Sequence, residues 1–505
     1  MLENEKKPRV ASGLQLFLTV AASVVAMGAW FLWLGGRRNV DGDEGLYLEA
    51  ARLVMSGKSL YSDFFFQQMP LTPYLYGFWM KLFGSGFLSA RHCSAFLTAA
   101  TGAVMLVYVA RSTRSLFWVN AAGLMFFANG IILAWAPVVK THPLTMFALV
   151  ASAVAMLEWR RSRALGWLAA AGLLIGMGIG GRLTLGPLAV FYFAYVAWDA
   201  PSRRIPSLAV LLLSVLLVST PVFYFFARDP ALFWKYNLTY HTEVYPGVVD
   251  ASRRWNTAQA LLRQIQVLLL CVASQVTVLV GWSREGWKFL KSDSAFLALL
   301  LAIFIAIHMA SAEPYTQYFS AAMPLLILLT LPALQWLIGS ARRIIPIAAL
   351  GLFAFFYLSG ARSAMDFEIA SMLSNRPEWA LGSLQRTVWQ ARKVLKPGEE
   401  CLTWWPGYAF LANCRSVGGM ENHMRNYAVQ RKLPDTVKEY QMLPDEELLL
   451  ALRQRKYRVV IDGVYHIESP YYYDIQAALI EGYWDVGYGV KVRSPAWFRA
   501  LLNSN

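Results

Sequence analysis

The chain has 505 residues, 57% of them hydrophobic and 14% aromatic against only 15% charged, and a formal net charge of +15. It is far richer in apolar residues than a soluble domain needs, which places it in a membrane and excludes an ordinary cytosolic enzyme. The positive charge falls in short loops and beside apolar runs, which suits anionic lipid or lipid phosphate, so no nucleic acid is invoked as a partner.

A hydrocarbon core about 30 Å thick takes roughly 20 helical residues to cross. Apolar runs near that length fill most of residues 11–362 and predict eleven crossings, at 11–34, 90–110, 116–134, 142–158, 164–181, 183–199, 206–226, 264–282, 295–311, 317–338 and 344–361. The first is too long for a secretory leader, has no clear small-residue cleavage site and is followed by many more spans, so it reads as a retained anchor. Short cytoplasmic loops hold an excess of lysine and arginine. With the N-terminus inside, the inner segments carry Lys6, Lys7 and Arg9; Arg111 and Arg114; Arg160, Arg161 and Arg163; Arg203 and Arg204; Arg284, Lys288 and Lys291; and Arg342 and Arg343. An odd number of spans sends the C-terminus outside. The expected fold class is an α-helical polytopic membrane protein of about eleven transmembrane helices, residues 1–362, with a soluble outer α/β domain at 363–505.

The first outer loop, 36–89, contains "NVDGDEGLYLEAARLVMSGKSLYSDFFFQQMPL" and places Asp41, Asp43, Glu44 and Glu49 directly after an apolar run. Leu46, Ala50, Leu53 and Val54 share one helical face, with Glu44, Arg52 and Ser56 elsewhere, which predicts a short amphipathic helix lying in the membrane interface. Gly57 ends it, and Pro70 opens a second helical run, "PLTPYLYGFWMKLFG". A second outer loop, 228–262, is too long for a mere connector. From 363 onward "ECLTWWPGY", "YRVVIDGVY" and "YWDVGYGVKV" read as strands, and 378–396 and 444–455 as helices. Cys93 and Cys271 sit in or beside apolar spans as packing residues, while Cys401 and Cys414 share the outer domain, where an oxidising periplasm would allow them to pair. No Cys-x-x-Cys, His-Glu-x-x-His, Walker or Gly-x-Ser-x-Gly arrangement occurs, which argues against several enzyme classes.

The stretch from Asp43 to Leu71, an Asp-Glu pair followed about 25 residues later by Pro-Leu, resembles the first outer loop of the lipid-dependent GT-C glycosyltransferases. These include the protein O-mannosyltransferases of glycosyltransferase family 39 and the bacterial aminoarabinose transferases. "THPLTMFALVAS", "GMGIGGRLTLGPL" and "PYTQYFSAAMPLLILLTLPAL" are similar to later landmarks of that family in the same order, so the likeness covers most of residues 12–340. It implies transfer of a sugar from a polyprenyl-phosphate donor to a lipid, protein or envelope glycan at the outer face of a bacterial inner membrane. A single displacement would invert the sugar carbon.

On that resemblance Asp43 is the general base, assisted by Glu44. An alcohol is a weak nucleophile, and a carboxylate within hydrogen-bond reach takes its proton as it attacks. The helix dipole favours an ionised Asp43 at the helix N-terminus, where an aspartate equally serves as a plain cap. Asp41 with Asp43 forms an Asp-x-Asp, a weak candidate for a divalent metal, and no other cofactor is implied. The donor phosphate would meet Arg182 in "GIGGRLTLG", Lys140 and His142 in "VVKTHPL", and Arg253 and Arg254 in the second outer loop. An arginine near a helix end also snorkels to the interface, and a histidine there also caps. Many relatives carry an acid where His142 stands, which puts a borrowed metal site in doubt. Tyr47, Asp63, His241, Glu243, Tyr245, Tyr315 and Tyr318 are candidates for contacting the substrates, with Glu313 beside the last two. The main alternative is a transporter or flippase of lipid-linked sugars, or a polymerase of them. Transporters often show inverted repeats and ionisable groups near the midplane, whereas here the acids cluster in outer loops.

Overall fold

The computed structural model describes residues 11–244, 252–311, 314–340, 344–370, 376–396, 398–426, 434–464 and 469–495. Among them eight helices are long and apolar enough to cross a membrane: Gly13–Arg37, Phe87–Thr113, Thr141–Ser162, Pro201–Val218, Ile265–Lys291, Asp293–Ala310, Thr316–Gly339 and Ile347–Ala370. Three shorter apolar helices, Leu116–Phe127, Leu165–Gly181 and Leu183–Asp199, fall where the remaining spans were expected. The protein is an α-helical, multi-pass membrane protein.

Two of the expected spans are interrupted. The run 116–134 stops at Phe127, and Asn129 starts a new helix, Gly130–Trp135, by accepting the Ile132 amide at 3.0 Å. An asparagine oxygen satisfies an amide that a helix start leaves orphaned, so the chain gains by restarting there. The run 206–226 divides at Ser219 into Arg204–Val218 and Thr220–Arg228. Pro221 has no amide to continue the ladder and sits in the first turn of the second piece, where none is needed.

Contacts gather the chain into two compact units, each discontinuous in sequence: Met1–Gly35, His92–Pro221 and Ala251–Ser371 in the first, Gly36–Arg91, Val222–Asp250 and Met372–Asn505 in the second. In the first unit the helix Leu165–Gly181 meets Arg204–Val218 at a small-residue seam. A Cβ on Gly172 would lie 2.7 Å from the Ser214 Cβ, and one on Gly176 2.5 Å from Val218 Cγ1. Between apolar helices in lipid no hydrophobic force favours one helix over the solvent, so close backbone approach at four-residue spacing is what drives pairing. Leu213, Leu217, Val272 and Leu279 point outward and are more than half exposed.

One end of this unit is fastened by charge. Arg160 and Arg161 pair with Asp293 at 2.7 and 2.8 Å, Arg163 with Asp199 at 2.7 Å and Arg111 with Glu158 at 2.9 Å. These groups stand at the ends of Phe87–Thr113, Thr141–Ser162 and Gly186–Asp199 and at the start of Asp293–Ala310. All four positions belong to segments that charge counting assigns to a single side.

The second unit contains a five-stranded sheet of β1 (Glu400–Thr403), β2 (Arg415–Ser416), β3 (Val459–Ile461), β4 (Tyr483–Asp485) and β5 (Val490–Arg493), in the order β2-β1-β3-β5-β4. β2, β1 and β3 run parallel, while β5 is antiparallel to both β3 and β4. Val459, Val460 and Ile461 are all fully buried, as a parallel strand covered on both faces must be. Cys401 and Cys414 form a disulfide between β1 and the residue preceding β2. In the same unit the expected helix runs from Glu44 to Met55 and the second from Leu71 to Phe83. Leu46, Ala50 and Val54 are buried as the pattern requires and Leu53 is half-buried, but Glu44 and Glu49 are buried too. The reason is a second cover: the short helix Pro406–Ala412 packs so close that a Cβ on Gly45 would lie 2.6 Å from the Gly407 nitrogen. Trp405 Nε1 also donates to the Gly42 carbonyl at 2.8 Å.

Candidate active site

In the second unit the acidic loop is built from within. Asp41 Oδ1 accepts the Asp43 amide at 3.0 Å, and Glu44 Oε2 accepts the Asp41 amide at 2.8 Å. This is the reciprocal logic of a capping box, and Asp41 is its capping acid. Asp43, at the first position before the helix, makes no side-chain cap bond. Glu44 is held further by Arg91, whose Nε and Nη2 donate to its two oxygens at 2.9 and 2.6 Å. Arg91 also donates to the carbonyls of Arg38 and Asn39 at 2.8 and 2.9 Å. Both side chains are fully buried, which a charge pair tolerates when its geometry is bidentate and its spare donors find acceptors. Glu44 is therefore a fastening for the loop that carries Asp43.

The Asp43 side chain keeps 30% of its surface, and its Oδ1 lies 3.1 Å from Nε2 of a fully buried His423. Next to it, Asn422 Nδ2 donates to Gln67 Oε1 at 2.7 Å, and His241 Nε2 donates to the Gln67 carbonyl at 2.7 Å. Glu49 accepts from Ser416 Oγ at 2.6 Å and from Arg52 Nε at 2.8 Å. Burial pushes the Glu421 carboxyl up to about 7, with the Glu49 carboxylate adding to the rise and Lys58 opposing it.

The first unit gathers a separate group of cations and aromatics at the helix ends opposite the ion-paired ones. Arg182 ends the helix Leu165–Gly181 in extended conformation and lays its guanidinium 3.9 Å over the Tyr318 ring. Its Nη1 lies 3.3 Å from His142 Nδ1, an acceptor only in the neutral tautomer that carries its proton on Nε2. Lys140 donates to Gln317 Oε1 at 3.1 Å and sits 4.9 Å above the Trp135 ring. Arg253 stacks 4.7 Å from the Tyr315 ring, and the two tyrosine rings touch at 5.6 Å. Arg254 does other work, donating to the carbonyls of Ala310 and Ser311 at 3.1 Å and so closing a helix C-terminus. A fully buried Glu368 braces the group from behind, accepting from Trp135 Nε1 at 3.0 Å and from Thr316 Oγ1 and Gln264 Nε2 at 2.8 Å.

The other expected residues have different surroundings. Tyr47 is buried edge-on against Phe66, Asp63 accepts the Ser59 amide at 2.8 Å in a local turn, and Glu243 is exposed. Tyr245 and Glu313 lie outside the described residues. Among the described residues no three or more His, Cys, Asp or Glu side chains are grouped to hold a metal ion. Asp41 Oδ1 is engaged in its cap, and Asp43 faces His423.

Four residues of these groups escape a reading by motif. Arg91 is a charge inside an expected span, a signal that such residues have a purpose. Glu368 follows Asp366 late in a long helix, with no motif around it. Asn422 and His423 stand in "GGMENHM", whose one mark is a histidine in a chain that has only six.

No family model and no curated protein matches the sequence. Solved structures match the fold. ArnT from Cupriavidus metallidurans bound to undecaprenyl phosphate superposes with a TM-score of 0.63 at 15% identity, over 95% of this chain and 98% of that one. Its apo state gives 0.63 at 16% identity, over 95% and 97%. The archaeal oligosaccharyltransferase AglB from Archaeoglobus fulgidus, in complex with an inhibitory peptide and a dolichol-phosphate, gives 0.51 at 12% identity, over 96% of this chain and 75% of that one. The chain has a GT-C-like fold.

Proposed function

We propose that this chain is an integral-membrane glycosyltransferase that moves a sugar from a polyprenyl-phosphate carrier to an acceptor hydroxyl on a lipid, protein or envelope glycan. Its setting is a bacterial inner membrane, with the N-terminus cytoplasmic and the acidic loop and C-terminal region outside. The observation that carries the reading is the near end-to-end fold likeness to ArnT, which was solved with undecaprenyl phosphate bound. Two local arrangements support it: a carboxylate left out of its own helix cap, and a cluster of Arg182, Lys140 and Arg253 set on aromatic rings.

The step is a displacement. Asp43 takes the acceptor's proton as its oxygen bonds to the anomeric carbon, and the bond from that carbon to the phosphate oxygen breaks, the electron pair leaving with the phosphate. Arg182 is assigned to that phosphate, because a guanidinium presents several donors in one plane to an oxyanion whose charge grows as the bond breaks. The Tyr318 face beneath it stabilises the cation and fixes its plane. Lys140 and Arg253 add positive charge, and Tyr315 offers an aromatic surface.

The test is transfer from a panel of polyprenyl-phosphate sugars to membrane extracts by the purified full-length protein, with Asp43→Asn beside wild type. Loss of a general base lowers the rate by about 10²- to 10⁴-fold with the fold intact. Equal rates would remove Asp43 from the chemistry. Sugar-lipid crossing vesicles without any transfer would replace the reading with a transporter.

A further inference from the structure

We propose that His423, from the C-terminal region, is a positioning residue for Asp43, so that this region takes part in transfer. The inference rests on the glycosyl-transfer reading above and deepens it.

Three consecutive side chains, Glu421, Asn422 and His423, turn toward the first outer loop within the second unit. The turn that delivers them begins at Gly419, whose φ of +80° suits glycine and whose carbonyl accepts the Leu443 amide at 3.2 Å. Asn422 pins it by donating to Gln67 Oε1 while its own Oδ1 accepts the Met424 amide at 2.9 Å. His423 is then fully buried with Nε2 3.1 Å from Asp43 Oδ1. Burying an imidazole costs free energy unless it is hydrogen-bonded, and this one is buried against a carboxylate that remains open to solvent. A capping aspartate would be oriented by the backbone amides of its own helix. Asp41 does that here, while Asp43 makes no side-chain cap bond and is met at Oδ1 by His423 from the C-terminal region. An imidazole nitrogen held 3.1 Å from Oδ1 limits the orientations open to the carboxylate, and a base that is held loses less on reaching the transition state.

The experiment uses the full-length protein and any donor and acceptor pair that wild type turns over. His423→Phe keeps the volume and removes the ring nitrogens that face Oδ1; His423→Gln keeps a polar N–H group at that place. The Phe variant should lose about 10- to 100-fold in kcat. Its KM for the donor should stay within about twofold, because only the base is misplaced. The Gln variant should recover most of that loss. Asp43→Asn combined with His423→Phe should be no slower than Asp43→Asn alone, since both act through one carboxylate. Thermal unfolding checks the fold, and His423→Met, equally without a donor, stands in for a Phe variant that does not fold. A donor-free variant with wild-type kcat, a Gln variant no faster than the Phe variant, or losses that simply add would each overturn the role of His423 while leaving the transfer reading in place. No transfer by wild type with any pair would overturn both.

Discussion

Arg91 illustrates how much a single side chain in this protein is asked to hold. Its guanidinium serves Glu44 twice and the Arg38 and Asn39 carbonyls once each, so the end of the first membrane helix and the start of the 44–55 helix share one cation. Removing one partner of a fully buried pair strands the other without solvent. Arg91→Ala should therefore cost about 3–5 kcal/mol, read by thermal or denaturant unfolding, whereas Arg91→Met with Glu44→Gln together should recover much of it. A surface arginine such as Arg362, paired with Asp366 at 3.5 Å in the open, should change stability little when replaced. The acids of the loop also divide their labour at this scale. Residue type and the dipole argument made Asp43 either a base or a cap; the bonds give the cap to Asp41 and the fastening to Glu44.

At the scale of elements, the apolar runs were legible because crossing a membrane is a property of length and composition along one stretch of chain. Interruptions within them were also written locally, in Asn129 and Pro221, although run length alone passes over both. The seam between Leu165–Gly181 and Arg204–Val218 depends on Gly172 and Gly176, where any side chain meets Ser214 or Val218. Gly176→Val should lower the stability of the purified protein by about 1–3 kcal/mol, the usual cost of overpacking. Gly166, with open space around its Cβ position, should accept alanine with little change, and a melting curve for each in the same detergent separates the two cases. The 44–55 helix shows the opposite situation. Its apolar face was readable, but burial of its polar face required the 406–412 helix, which is far away in the chain.

At the scale of the molecule, two compact units are each assembled from three separate stretches, and the second brings residues 36–91 into contact with the C-terminal region. Glu421 sits in that contact, and its folded-state carboxyl, raised to about 7 by burial, binds a proton that the unfolded chain releases near 4.5. The sign follows from linkage: the stability it contributes is full below about 4.5 and is lost as pH rises through about 7. Melting temperatures of the full-length protein between pH 5 and pH 8 should fall with rising pH, and Glu421→Gln should flatten the fall. A variant whose curve runs parallel to wild type would show that Glu421 does not control it.

What the sequence by itself determined is what local chemistry determines: apolar lengths that cross a membrane, basic loops whose positions alternate, a short amphipathic helix after an acidic stretch, and strand-like runs in the C-terminal region. Likeness to a GT-C loop was also legible there, because its acids lie close together in the chain. Only the tertiary structure decided that Glu44 belongs to Arg91, that Trp135, Thr316 and Gln264 converge on Glu368, and that His423 reaches Asp43. Hydrogen-bond partners drawn from distant stretches follow no periodicity, since each donor is chosen by where packed helices and strands leave a buried acceptor to satisfy.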